Sequence, residues 1–69
     1  MIHKKLDQLI TEMIEKGVNY RDALREFEKK FIKKSLEKNN YRISLTAESL
    51  GINRNTLAKK IKNNNIPTK

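Results

Sequence analysis

An all-α chain of four helices is the fold class this sequence predicts, and three observations carry it. Apolar residues recur at steps of three and four through residues 2–36, turn residues at Gly17, Asn39, Asn40, Gly51 and Pro67 divide the chain into four segments, and no segment is read as a strand, repeat or linker. At 69 residues the chain forms one domain, residues 1–69, whose core buries only ~60% of the surface its unfolded chain exposes. It has no cysteine and a single histidine, His3, so neither a disulfide nor a zinc site staples it, and oligomerisation is the support that remains.

The first helix follows from Ile2, Leu6, Leu9, Ile10, Met13 and Ile14, which share one face of a 3.6-residue repeat. Gly17 suits the left-handed residue that closes it, and Asn19 with Asp22 three residues on resembles an N-cap pair opening the next. Helix two is expected over residues 20–38, with Tyr20, Ala23, Leu24, Phe27, Phe31, Ile32 and Leu36 as its apolar positions. Such a rod is about 28 Å long at 1.5 Å per residue. One shorter helix cannot wrap it, so a second copy is expected to cover the stripe formed by Ile2, Leu6, Leu9, Ile10, Met13, Ile14, Leu24, Phe27 and Phe31. Residues 1–38 are thus the dimerisation helices. After Asn39 and Asn40 the elements shorten: Ser44 is an N-cap candidate for residues 45–50 and Asn53 for residues 54–62, and an Asn in the 63–65 run can close the last helix before Pro67.

Charge narrows the functional classes. Sixteen Lys and Arg face eight Asp and Glu, a net charge of +8, and nothing acidic follows Glu48. An anionic partner is the first expectation. No apolar run is long enough to span a membrane and no secretory signal opens the chain, which favours a cytoplasmic protein; Met1 favours a complete small one. With two glycines, no glycine-rich loop and no Cys, nothing converges into a catalytic site, so neither an enzyme nor a cofactor or small-molecule substrate is expected. The Lys, Glu, Ile and Asn richness fits a hot habitat or an AT-rich genome equally.

Ala47, Leu50, Gly51, Ile52 and Leu57 have the spacing of a helix-turn-helix across residues 39–66. A small residue four before the turn admits close crossing, Gly51 supplies a positive φ, and Leu50, Ile52, Leu57 and Ile61 pin the second helix to the core. Its free face presents Asn53, Arg54, Asn55 and Thr56 in the first turn, followed by Lys59, Lys60 and Lys62. A recognition helix points such N-terminal residues at base edges and flanks them with phosphate-binding cations.

From Leu24 onward, Glu26, Phe27, Glu28, Phe31, Ile32, Leu36, Glu37 and Asn39, then Ala47, Leu50, Gly51, Ile52, Asn53, Arg54, Thr56, Leu57, Lys60, Ile61 and Lys62, the chain resembles the Fis (factor for inversion stimulation) family, whose domain also ends the NtrC-type activators. The resemblance covers residues 24–66. It implies an intertwined homodimer, in which the first two helices of each subunit interlock and the last two read double-stranded DNA, and DNA bent to suit recognition helices set closer than one helical turn. Where the family commonly has Gly-Asn this chain has Tyr41-Arg42, and Asn65 replaces a terminal Gly. Nothing corresponds to an N-terminal arm, a receiver or an ATPase domain, so a complete chain would bind DNA on the nucleoid without driving polymerase by ATP hydrolysis.

Single residues are weighed on this frame. Arg54 either reads a guanine through its fork or contacts phosphate. Asn53 caps; Thr56 and Lys59 are placed on the side of Arg54; Lys60 and Lys62 hold the backbone; Arg42 and Ser44 open a helix whose free N–H groups suit a phosphate. Tyr41 either packs or rims the DNA, and Phe27 and Phe31 are read as core. Lys29, Lys30, Lys33 and Lys34 are expected to pair with Glu26, Glu28 and Glu37 on a solvated face rather than to touch DNA. The rival class is a helical protein-interaction module whose basic surface only solubilises it.

Overall fold

The computed structural model describes residues 2–68, apart from the side chain of Ile2, so the place of Ile2 in the apolar stripe lies outside the described residues. Four helices follow one another: α1 (Ile2–Glu15), α2 (Tyr20–Lys38), α3 (Ile43–Leu50) and α4 (Arg54–Asn63). All four stop in the same way. In each, a backbone N–H two or three residues past the last helical residue reaches back to a carbonyl five residues earlier: Val18 to Met13 at 2.9 Å, Tyr41 to Leu36 at 2.7 Å, Ile52 to Ala47 at 3.0 Å and Ile66 to Ile61 at 3.0 Å. The residue just before each donor is left-handed: Gly17 (φ 79°), Asn40 (φ 53°), Gly51 (φ 71°) and Asn65 (φ 52°). This Schellman geometry satisfies carbonyls that the helix leaves open and folds an apolar side chain onto the closing turn.

That second effect builds the core. Leu36, Ala47 and Ile61 are buried, Ile66 is buried beside them, and Tyr41 and Ile52 pack against the same cluster. With Ile32, Leu57 and the buried Thr46 they form a centre for α3, α4 and the second half of α2. Tyr41 therefore packs. It is itself left-handed (φ 62°), at the position where the resemblance puts glycine, and holding a non-glycine residue there costs roughly 1–2 kcal/mol, which the burial of its ring offsets.

Helix starts are also local. Asn19 accepts the Asp22 N–H at 2.8 Å and donates through Nδ2 to its carboxylate at 3.1 Å; Asn53 accepts the Asn55 N–H at 2.7 Å. Ser44 is not a cap. Ile43 is drawn against the core, so α3 begins there with Arg42 at its boundary, no side chain caps it, and Ser44 falls within the first turn. The Thr46 hydroxyl instead donates back to the Arg42 carbonyl at 2.7 Å.

The N-terminal half lacks a core of its own within one chain. Leu6, Leu9, Ile10, Ile14, Tyr20, Leu24, Phe27 and Phe31 are exposed, and Met13 and Ala23 are half-buried along the same groove between α1 and α2. Phe27 and Phe31 stack at 5.3 Å between ring centroids, yet each stays about half exposed at 53% and 51%. They are not core residues of the single chain.

Candidate nucleic-acid interface

Burial of Leu57 and Ile61 fixes the rotation of α4. At about 100° per residue, the side opposite them carries Asn55, Lys59 and Lys62, a stripe at i, i+4 and i+7, and all three are exposed. Thr56 and Asn63 flank this stripe on one side, Arg54 and Ala58 on the other, again all exposed. Arg54 is thus about 160° from Thr56 and about 140° from Lys59, rather than on one face with them. The residues that share a face with Arg54 are Leu57, Ala58 and Ile61; the core takes two of them, leaving Ala58 beside it. What brings Arg54 and Thr56 together is the end of the helix: both occupy its first turn, next to the Asn53 cap.

Arg42 and Ser44 are exposed at the start of α3. The N-terminus there has no side-chain cap, so its first N–H groups are unclaimed by side chains. Helix α4 contains no acidic residue, and Glu48 is the only one in α3. The cations of the two-helix unit are Arg42 at the start of α3 and Arg54, Lys59, Lys60 and Lys62 on α4.

Lys60 behaves differently from the other lysines. It lies on the α2 side of α4, half-buried, and its Nζ donates to Glu28 Oε1 at 2.7 Å. Asn64 Nδ2 donates to the second oxygen of the same carboxylate at 3.2 Å and to the Lys60 carbonyl at 2.8 Å. The hydrogen bond from Lys60 and then that from Asn64 hold the Glu28 carboxyl below its ordinary value; desolvation opposes them, and the Lys60 charge adds the smallest lowering effect. Among the described residues this is the one salt bridge, so Glu28 serves α4 rather than the α2 lysines, and Lys29, Lys30, Lys33 and Lys34 extend into solvent unpaired. Sequence spacing offered no sign of it, because 32 residues separate the partners. A second unforeseen link joins α2 to α3, where Asn39 Nδ2 donates to the Ser35 carbonyl at 2.9 Å and to Ser49 Oγ at 3.4 Å.

Among the described residues no group of His, Cys, Asp or Glu is arranged to hold a metal ion, and no helix is long and apolar enough to cross a membrane. His3 is an exposed residue of α1. No curated protein and no solved structure matches the chain significantly. The family model described as bacterial regulatory protein, Fis family, does match, over residues 23–63, which is more than half of the chain and runs from the first turn of α2 to the last residue of α4. The two short helices crossing at Gly51 and the cationic face of α4 are accordingly a DNA-binding helix-turn-helix, and the chain belongs to the Fis family of bacterial regulatory proteins.

Proposed function

We propose that the chain works as a homodimer that selects DNA sequence with α4 and bends the duplex, serving transcription regulation or chromosome architecture on the nucleoid in the cytoplasm. The observation that carries this reading is the outward face of α4, polar and cationic with no carboxylate, set on a helix whose other face is locked by Leu57 and Ile61. Arg54 reads a guanine through its guanidinium fork, with Thr56 and Asn55 beside it in the groove. Lys59 and Lys62 grip phosphates, and the uncapped start of α3, with Arg42 and Ser44, receives another. The second copy covers Leu6, Leu9, Ile10, Met13, Ile14, Leu24, Phe27 and Phe31, an apolar surface that the single chain leaves largely exposed between α1 and α2.

Bending follows from the dimer that the resemblance to the Fis family implies: its two recognition helices, set closer than the ~34 Å groove repeat, engage both half-sites only on curved DNA, at an elastic cost of order 1–6 kcal/mol. Circularly permuted fragments should migrate according to site position, and A/T-rich centres should bind more tightly than G/C-rich ones. Mobility independent of site position, with equal affinity for both centres, excludes the bend. The exposed apolar stripe also suits a protein-interaction module that ignores DNA. Titration with random-sequence duplex at two salt concentrations separates the two readings: phosphate binding gives a steep negative slope of log affinity against log salt, an apolar interface almost none.

A further inference from the structure

Glu28 stands out because it connects the two functional halves of the molecule through a polar contact. It belongs to α2, within the stretch that also carries the exposed aromatic pair, and its carboxylate holds the far end of α4 by two separate atoms: Lys60 Nζ on Oε1 at 2.7 Å and Asn64 Nδ2 on Oε2 at 3.2 Å. Asn64 in turn closes the last turn of α4 by donating to the Lys60 carbonyl at 2.8 Å. Helix α4 otherwise leans mainly on α3, and α3 on α2. Two apolar side chains, Leu57 and Ile61, seat α4 on the core, but non-directional packing tolerates small rotations of a helix about its seat. A carboxylate that takes donors from both Lys60 and Asn64 adds a directional constraint to that seat.

We propose that Glu28 is a positioning residue for DNA reading: by bridging Lys60 and Asn64 it sets the angle of α4 against the dimerisation helix, and it keeps the Lys60 ammonium from the phosphate backbone. This rests on the DNA-binding reading above. Its consequence is a division among the cations of α4. Lys59 and Lys62 are exposed and bridge to no carboxylate among the described residues, whereas the charge of Lys60 is matched by Glu28. Adding free cations near DNA raises affinity for every sequence alike, so a matched lysine limits non-specific binding while still holding the reading helix in place.

The test compares Glu28→Gln, Lys60→Met, Lys60→Arg and the double variant Glu28→Gln/Lys60→Met with the parent protein. Each is titrated with random-sequence duplex and with a duplex selected from a random pool, over a range of salt, alongside its thermal unfolding. Glu28→Gln should steepen the salt slope by about 0.9, the value of one added phosphate contact, and lower the ratio of selected to random affinity several-fold, with little change in melting temperature because solvent screens the half-exposed pair. Lys60→Met should leave the slope at the parent value yet lower the ratio, the double variant should return the slope to the parent value, and Lys60→Arg, which keeps the pair, should match the parent in both. A Lys60→Met slope flatter by about 0.9 makes Lys60 an ordinary phosphate contact and overturns the proposal, even if Glu28→Gln does not fold. So does an unchanged ratio in Lys60→Met. A parent protein with no salt-dependent binding removes the DNA reading itself and this proposal with it.

Discussion

Two regions of this chain carry the same kind of apolar pattern and use it differently. In α3, α4 and the second half of α2, apolar side chains close on one another: Leu36 and Leu57 have no exposed surface at all. In α1 and the first half of α2 they face outward, Ile14 at 68% and Tyr20 at 81% exposure. Helix α2 belongs to both regions because it carries two stripes. Tyr20, Leu24, Phe27 and Phe31 lie along one, Ile32 and Leu36 along another rotated by about 130°, and the change falls between Phe31 and Ile32. A boundary drawn at residue 38 between dimerisation helices and DNA-reading unit therefore divides packing that is continuous, since Ile32 and Leu36 sit in the cluster that holds α4. The lesson is that periodicity identifies an apolar face without saying whether its cover comes from the same chain.

The largest expected effects break this contrast directly. Leu36→Ala or Leu57→Ala removes a fully buried side chain and should destabilise the protein by about 2–5 kcal/mol at any protein concentration. Phe27→Ala or Leu9→Ala removes little that one chain buries, so its effect should act through the second copy and shrink as the protein is diluted toward the monomer. Chemical denaturation of the parent and each variant at two concentrations a hundredfold apart distinguishes them. A compact monomer in sedimentation, with a melting temperature indifferent to dilution, would contradict the dimer.

Next in size is the difference between the first turn of α4, which carries Arg54, and the outward stripe that carries Lys62. Arg54→Ala should lose about 1–3 kcal/mol on a selected site and relax preference at one base pair per half-site. Lys62→Ala should weaken all sequences alike and flatten the salt slope by about 0.9. Binding-site selection from a random pool measures both; recovery of the parent consensus by Arg54→Ala would reduce Arg54 to a phosphate contact.

What could be read in advance was what is local. Gly17 and Gly51 as left-handed stops, Asn19 and Asn53 as caps, and the burial of Leu57 and Ile61 each depend on neighbours within one or two turns, and each stands in the structure. Residues 41–47 alternate apolar and polar side chains, a period that suits a strand, yet the Asn40 and Tyr41 left-handed pair and the pull of the core on Ile43 start a helix there, which is why Ser44 failed as its cap. Glu28 departs from its expected pairing for a different reason. Helical neighbours offered Lys29 to Lys34 within a turn or two, and only the tertiary approach of α4 decides that Lys60 takes the carboxylate.

A smaller effect sharpens the comparison of helix ends. Glycine closes α1 and α3, asparagine closes α2 and α4, in the same left-handed geometry. Asn65 is exposed, so replacing it removes no packing. Asn65→Gly relieves the left-handed strain on a side chain at some cost in unfolded-state entropy, and should stabilise by on the order of 0.5 kcal/mol. Gly51→Ala should destabilise by about 1 kcal/mol through backbone strain alone, because its φ is 71° and no atom lies within 4 Å of the added Cβ. Denaturant midpoints at matched protein concentration read both; equal midpoints for Gly51→Ala and the parent would mean that the turn relaxes out of the left-handed region.

The smallest effect concerns the ion pair between the regions. The hydrogen bond from Lys60, followed by that from Asn64, lowers the Glu28 value in the folded protein below its ordinary 4.5, so protons bind the unfolded chain more readily. The resulting stability is complete above pH 4.5 and is lost as pH falls through the lowered folded value, leaving the interval from pH 5 to 7 unaffected by this group. Since both side chains are more than a third exposed, at 38% and 39%, solvent screening confines the effect to a fraction of a kcal/mol. Titration is therefore a better readout than melting. The Glu28 carboxyl carbon, followed by NMR, should have its midpoint below the ordinary value in the parent and closer to it in Lys60→Met, where only the Asn64 hydrogen bond still favours the anion. Coincident midpoints would show that the carboxylate and the ammonium do not meet in solution, and that α4 is held by its apolar seat alone.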